Sequence, residues 1–418
     1  MISGTNPSSA SSLDVQYNPF TQKPVEGNDP DAVIQSLIQR KKNVIDGGVN
    51  CIPLPFKRFR NEVPGVEQGQ YLIVTASTKI GKTQVASFIY LYSVLDYAFS
   101  HRDACSVHII YFSLEESPQR VLERYMSHLL YQFDGVRLAP SDLRSTSSEY
   151  PVPDEALELL QSQKYKERLD FFKQCVQFET EETNPTGIRN VCINYAKKVG
   201  TLKTRKMPSK SDPSKEVEVF ESYIPNDPNH YKIVIVDHMS LIESERGMRL
   251  KESMDKLSEY FVKYLRNRFG FTCVAIQQQA FDNEGLEAIK QKRLVPTVAS
   301  LSDTKYTSRD ADLVLGLFSP DKFGIPNWLG YDISRLRGYA RFLQVIANRN
   351  GEVGGICPLF FDGAVCDFEE LPPPDKVNDL AQYYLEAESR ITYKQQRKLL
   401  SLGVVVNVII KRIFNKKQ

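Results

Sequence analysis

The strongest constraint in this 418-residue chain is one short run, Ala76-Ser77-Thr78-Lys79-Ile80-Gly81-Lys82-Thr83. An apolar stretch over 71–75 precedes it, and a helix-like stretch from Gln84 follows it. A buried strand that turns tightly into a helix aims backbone N–H groups and the positive end of the helix dipole at a bound anion. The run fits G-x-x-x-x-G-K-[ST] except that Ala76 replaces the first glycine. In such a loop Gly81 admits the phosphates close to the backbone, Lys82 reaches the β- and γ-phosphates, and the Thr83 hydroxyl holds Mg²⁺. The plainer reading is a Gly-Lys-Thr turn between a core strand and a helix. The flanking elements favour a nucleoside triphosphate, with residues 76–83 as its cradle.

The rest of the chain reads as an α/β fold. Near-continuous apolar runs at 71–75, 107–113, 233–236, 272–276, 313–317 and 342–346 suit a parallel sheet buried on both faces. Helical spacing at 84–99, 117–133, 155–175, 185–199 and 252–269 alternates with them, as in a doubly wound sheet. Residues 1–28, rich in Ser, Asn, Pro and Gly, read as a flexible arm. Asp29-Pro30 reads as an N-cap with proline at the first helical position, opening a linker helix within 29–50 that carries Val33, Leu37, Ile38 and Val44 at helical spacing. A helix this short needs something to dock on. The main domain is expected over 51–371, with 200–231 as an inserted loop or hairpin. Pro372-Pro373-Pro374 then opens an extension over 372–418, whose last 29 residues hold eight Lys or Arg and no acid.

Composition narrows the function classes. Seven scattered cysteines without a C-x-x-C pair argue against a zinc site or a secreted disulfide framework. No N-terminal signal pattern and no membrane-spanning apolar run is present, so a cytoplasmic protein is expected. A net charge of +2 does not announce a nucleic-acid partner, but a narrow channel needs basic groups only locally.

Three later motifs refine the nucleotide reading. The run at 107–113 leads into Leu114-Glu115-Glu116, and a carboxylate at the tip of a strand beside the phosphate loop can polarise an attacking water. Glu115 is the expected general base, and Glu116 suits the first turn of the next helix. Lys232-Ile233-Val234-Ile235-Val236-Asp237 ends an apolar strand in a carboxylate suited to Mg²⁺, although such an Asp is also a common turn residue. Gln277-Gln278-Gln279 ends the 272–276 run, and all three amides are expected to face solvent or ligand.

Taken in order, these motifs, with Asp310-Ala311-Asp312-Leu313-Val314 and Arg349-Asn350-Gly351, resemble the motor domain of DnaB-type replicative helicases over about residues 50–371. The resemblance implies a RecA-like core, ATP and Mg²⁺ as cofactors, and a homo-oligomeric, hexameric ring. It implies Lys82 and Thr83 as phosphate and metal ligands, Glu115 as catalytic glutamate, Asp237 on the metal side and Gln278 as the strand-tip glutamine. Arg349 corresponds to an arginine finger reaching a neighbouring subunit's γ-phosphate, and its other reading is a turn residue beside Asn350-Gly351. The chain departs from the family at Ala347, where a lysine is usual, and at His238, read as packing; the globular N-terminal domain is replaced by a polar arm.

The segment between Gln279 and Asp310 carries Lys290, Lys292, Arg293, Lys305 and Arg309, which would meet the backbone of single-stranded or forked DNA in a channel, or else form a solvated loop. Implied partners include a primase or helicase loader, in the host cytoplasm if the chain is phage-encoded. Competing readings are a RecA-like recombinase or regulatory ATPase, a weakly active nucleotide-binding loading module, and a packaging motor. The last should carry a nuclease domain with clustered acidic metal ligands, and no such segment follows residue 371.

Overall fold

A computed structural model of the chain describes residues 16–17, 24–25, 29–148, 150–209, 214–280 and 294–401, with side chains from 29 to 392. Most of the expected arm therefore lies outside the described residues; Gln16–Tyr17 and Pro24–Val25 form a short antiparallel pair.

Nine strands make the central sheet. In chain order they are β1 Tyr71–Ala76, β2 Ser106–Ser113, β3 Val176–Glu179, β4 His230–Asp237, β5 Thr272–Gln278, β6 Leu313–Phe318, β7 Ala340–Asn348, β8 Ile356–Asp362 and β9 Asp367–Glu370. Their spatial order is β9-β8-β7-β6-β1-β5-β4-β2-β3. The six from β6 to β3 are parallel, and β7, β8 and β9 continue the sheet antiparallel. This is the RecA-like α/β architecture expected, but two points of the sequence reading change. β2 is not beside the phosphate-loop strand, because β5 and β4 lie between them. The run at 342–346 is antiparallel to its neighbour, and β3, β8 and β9 were not anticipated, being short or interrupted by polar residues.

Side-chain alternation divides the core. Leu72 and Val74 of β1, Ile233 and Ile235 of β4, and Val274 and Ile276 of β5 pack on one face. Tyr71, Ile73, Val234, Val236, Cys273 and Ala275 pack on the other. Each such aliphatic side chain contributes about 1.5–3 kcal/mol by burial, which is why two-faced strands read as continuous apolar runs.

Helices cover both faces. The linker helix, α1 Pro30–Ile45, is capped by Asp29, whose carboxylate accepts from the N–H groups of Asp31 (3.0 Å) and Ala32 (3.2 Å). It buries none of its residues: Val33, Ile34, Leu37, Ile38, Val44 and Ile45 are all exposed, Leu37 at 61%. α2 Lys82–Ser87 runs on without a break to Ser100. α3 Pro118–Asp134 stops at Gly135, whose φ of 66° is the left-handed conformation glycine tolerates. The single helix expected over 155–175 is two, Asp154–Gln161 and Gln163–Cys175, because Ser162 is extended with ψ at 157°. α4 Pro185–Lys198 and α5 Leu250–Tyr260, continuing to Phe269, lie on the second face.

The segment 200–231 forms an antiparallel hairpin, Gly200–Pro208 with Glu216–Pro225, leading into β4. After the prolines, α6 Val377–Ser401 folds back on the antiparallel edge, burying Leu380, Tyr383, Tyr384, Ala387 and Ile391 against Phe342 and Phe360. Arg390 ends in an ion pair with Glu369 (2.9 Å), so the first charge of the basic run is used inside the fold. Residues 402–418 lie outside the described residues.

Candidate nucleotide site

The tips of the parallel strands line up. Ala76 of β1 is in register with Gln278 of β5 and Leu317 of β6, Ile276 with Asp237, and Asp237 with Ser113. One sheet edge therefore carries the phosphate loop, Gln278, Asp237 and Glu115 side by side. This is the edge at which open α/β sheets bind ligands.

Within the loop, Lys79 (φ 63°) and Gly81 (φ 102°) are both left-handed, and the turn delivers Lys82 to the start of α2. Gly81 is required twice over, since a Cβ there would meet the Phe361 ring at 3.0 Å as well as strain the backbone. Arg341, on β7 and buried, holds the loop from behind. Its Nε donates to the Ile80 carbonyl (2.7 Å), and its Nη1 donates to Ser319 Oγ (3.0 Å) and to the Gly338 and Ala340 carbonyls (both 2.8 Å). Burial pulls its pKa down to about 10, and the guanidinium stays charged near neutrality. Sequence reading missed this residue, because an arginine within an apolar strand carries no motif. Lys322, after β6, donates to the Thr78 carbonyl (3.0 Å).

Asp237 is 4% exposed. Its Oδ1 accepts from Thr83 Oγ1 (3.1 Å), and its Oδ2 accepts from the Tyr111 hydroxyl (2.9 Å). Burial pushes its carboxyl up to about 6, against the lowering effects of Tyr111, Lys82 and Thr83. Lys82 is shifted the other way: burial lowers its pKa, opposed by Asp237 and Glu115. A largely desolvated ammonium beside a buried carboxylate and a hydroxyl would suit the phosphates and Mg²⁺ of a bound nucleotide. Among the described residues no cluster of three His, Cys, Asp or Glu forms a cation cage, so phosphate oxygens and water would complete the coordination. Asp237 and Thr83 fit that part, and the ion would supply charge neutralisation for the phosphates.

Glu115 is half exposed, beyond the end of β2, and Leu114 N–H donates to the Asp237 carbonyl (2.9 Å), which ties the two tips together. His238 Nε2 lies 3.8 Å from Glu115. Burial, reinforced by Lys82, pulls this histidine to about 4, so it is neutral near pH 7 and the contact is not between full charges. Glu116 instead pairs with Arg124, inside α3, and no acid lies in that helix's first turn, so its part is an ion pair rather than the dipole complement expected.

The three glutamines do not behave alike. Gln278 reaches the loop, its Nε2 donating to Thr78 Oγ1 (2.8 Å). Gln277 and Gln279 are buried, which corrects the expectation that all three face solvent or ligand. Gln277 donates to the Ser302 and Thr304 carbonyls (2.7 and 2.9 Å) and accepts from Thr307, and Gln279 donates to Thr75 Oγ1 (2.8 Å). With their amides satisfied, burial carries no large penalty.

Arg349 lies at the opposite edge of the sheet. Its N–H donates to the Asp312 carbonyl (2.8 Å), its Nη2 donates to the Arg309 carbonyl (2.8 Å), and its Nε is 3.7 Å from Asp312 Oδ1. Asp312 in turn accepts from the N–H of Tyr71, the first residue of β1 (2.8 Å). The six residues of β1 put about 20 Å between that point and the phosphate loop, at about 3.3 Å each. Of the candidate DNA-contacting residues, Lys305 and Arg309 are exposed, and Arg309 stacks on exposed Tyr306 (5.0 Å). Lys290, Lys292 and Arg293 lie outside the described residues.

A nine-stranded sheet with a Gly-Lys-Thr loop at the tip of one parallel strand, and an amide, an acid and a second acid at the next tips, is the arrangement of a RecA-like P-loop fold. Among solved structures, the chain resembles a DnaB-like replicative helicase described together with its interactions with primase, at a TM-score of 0.55 and 14% identity, covering 84% of this chain and 68% of that one. It also resembles a second solved protein, described as an ATPase domain, at a TM-score of 0.54 and 13% identity, covering 82% of this chain and 99% of that one. At these identities the likeness is one of fold. No family model matches the sequence, and no curated protein is similar to it. Among the described residues no helix is long and apolar enough to cross a membrane.

Proposed function

We propose that this protein is an ATP-driven helicase motor that assembles as a homo-oligomeric ring, a hexamer by analogy with its relatives in fold, and moves on single-stranded DNA. The observation that carries the reading is the separation of Arg349 from the phosphate loop of its own chain. A guanidinium at the far edge serves a γ-phosphate only in a second copy, and the loop then completes its site at a seam between subunits. In this reading residues 76–83 cradle ATP, and Thr83 and Asp237 hold Mg²⁺. Glu115 takes the proton of the attacking water, and Arg349 of the neighbour neutralises charge on the transferred phosphoryl group.

Gln278 links site to grip. Its amide bonds Thr78 of the loop, and its carbonyl accepts from Ser302 N–H (2.9 Å) and Oγ (2.8 Å), at the start of the segment carrying Lys305, Tyr306 and Arg309. An exposed ring flanked by cations suits stacking of an unpaired base with contact to its phosphates. The bare apolar face of α1 supports docking on the adjacent protomer, and a primase is the partner class suggested by the fold relative. The absence of a lysine at Ala347 favours one second reading, a nucleotide-binding loading module with slow turnover.

ATP hydrolysis with and without single-stranded DNA, alongside unwinding of forked duplexes of both polarities, tests the proposal. Turnover should rise with DNA and forks should open. Glu115→Gln should lower kcat about 10²–10⁴-fold while nucleotide still binds. Turnover without unwinding of either fork would favour a recombinase-like or regulatory ATPase, and slow turnover indifferent to DNA would favour the loading module.

A further inference from the structure

The edge of the sheet away from the phosphate loop contains a cavity of about 460 Å³, bounded by Gln68, Gln70, Tyr231, Lys232, Arg266 and Arg349. It is built from the starts of the parallel strands and the turns before them, so it is separate from the phosphate loop of its own chain, with Arg349 on its border. Its volume is in the range of small-molecule sites.

Most charges around it are matched. Arg266 holds both oxygens of Asp312 (2.8 and 2.9 Å), and Arg40 pairs with Glu67 (3.0 Å). Lys232 is the exception. It enters the cavity from the start of β4, is 2% exposed, and among the described residues has no hydrogen bond and no carboxylate within ion-pair distance. Its nearest compensation is the Tyr223 ring, 5.4 Å from Nζ. Asp227 acts on it at longer range but is already engaged by Ser106 Oγ (3.0 Å) and the Asn229 N–H (2.8 Å). Burial lowers the Lys232 pKa to about 8. A buried ammonium without a close counter-ion is destabilising, and beside the apolar run Ile233–Val236 a leucine or methionine would pack at lower cost. Its chemistry is that of a point charge with three donors, suited to a phosphate; the Gln70 amide and the Arg349 guanidinium border the same cavity, whereas the Gln68 amide is engaged by the Pro228 carbonyl (2.7 Å).

We propose that this cavity is a second anion site, holding the phosphate of a small phosphorylated molecule on the Lys232 ammonium. Nothing in this requires ring assembly or ATP turnover.

The test uses full-length Lys82→Ala protein, which weakens phosphate binding at the loop, titrated calorimetrically with inorganic phosphate and, separately, with AMP. One site per chain is expected for at least one probe, and adding Lys232→Met should weaken it tenfold or more. The tighter probe tells whether free phosphate or a nucleotide-borne phosphate is preferred. Lys232→Met removes a buried charge, so its Tm should not fall. A readout independent of that variant is labelling of Lys232 by trinitrobenzenesulfonate, followed by mass spectrometry, which saturating phosphate or AMP should slow. Binding indifferent to Lys232→Met, no binding of either probe, or labelling unchanged by both would overturn the proposal. No arm reads ATP turnover, so the ring reading can fail while this one stands.

Discussion

The two edges of one parallel sheet are built on different electrostatic plans. At the phosphate-loop edge the backbone is left-handed at Lys79 and Gly81, and the charges are few, near one another and shifted by burial, with Asp237 up to about 6 and Lys82 down. At the other edge left-handed backbone falls on glycines, Gly69 (φ 72°) and Gly270 (φ 65°), and the charges are many, locked in pairs such as Arg266–Asp312 and Arg40–Glu67. The first edge is arranged for a polyanion that the chain does not itself contain. The second is largely self-sufficient, with Arg349 resting on carbonyl oxygens and Lys232 without a carboxylate at ion-pair distance among the described residues. Because the strands set the separation, the two sets cannot meet in one molecule.

The sharpest way to break this contrast is Arg349→Ala. If the residue acts across a seam, kcat falls about 10³–10⁵-fold, and mixing with inactive Lys82→Ala protein restores part of the turnover. If it merely anchors the turn after β7, the Tm falls and mixing restores nothing.

The next test concerns the buried carboxylate. Its folded pKa, about 6, is above the unfolded value near 3.8, so the native state binds the proton more tightly. The sign follows from linkage: this group favours the folded state below about pH 4, and that contribution is lost as pH rises through 6. Asp237→Asn should therefore be more stable than wild type at pH 7.5, by about 2–3 kcal/mol at 1.36 kcal/mol per pKa unit. The gap should close in chemical denaturation at pH 4, and an equal gap at both pH values would refute the assignment.

A smaller effect is expected behind the loop. Arg341→Lys keeps the charge but not the planar fork, so several of its four bonds are lost, at a cost of about 1–3 kcal/mol. Nucleotide affinity should fall with the Tm; a fall in Tm alone would separate Arg341 from the loop's function. Smallest for the isolated chain is Leu37→Asp: at an exposed position it should change stability by no more than about 0.5 kcal/mol, yet lower the assembled mass in light scattering. An unchanged mass would remove α1 from the assembly.

Much of the phosphate-loop edge was legible in the sequence, because its parts are local: a strand, a turn and a helix start in one run, then single residues at the ends of apolar runs. The far edge was not. Lys232 reads as the polar lead-in to a strand, and its isolation depends on Tyr223 and Asp227, brought close by the fold. Gln277 and Gln279 look identical in kind to Gln278, yet their burial rests on Thr304, Thr307 and Thr75, which satisfy their amides. β8 and β9 were obscured because Pro358 and the acids of 367–370 interrupt the apolar runs, and their pairing is antiparallel at a half-covered edge. Strand order was also beyond reach: the spacing of β2, β4 and β5 along the chain does not reveal that two strands separate Glu115's strand from the loop's.

Thr78 is gripped twice, by the Gln278 amide on its hydroxyl and by the Lys322 ammonium on its carbonyl. Any guest that claims the Gln278 amide must first detach it from that threonine. The loop thus supplies a surrogate for its own ligand, and arrival is an exchange of partners rather than a simple addition. Because the Gln278 carbonyl also accepts from Ser302, such an exchange would bear on both ends of a single residue.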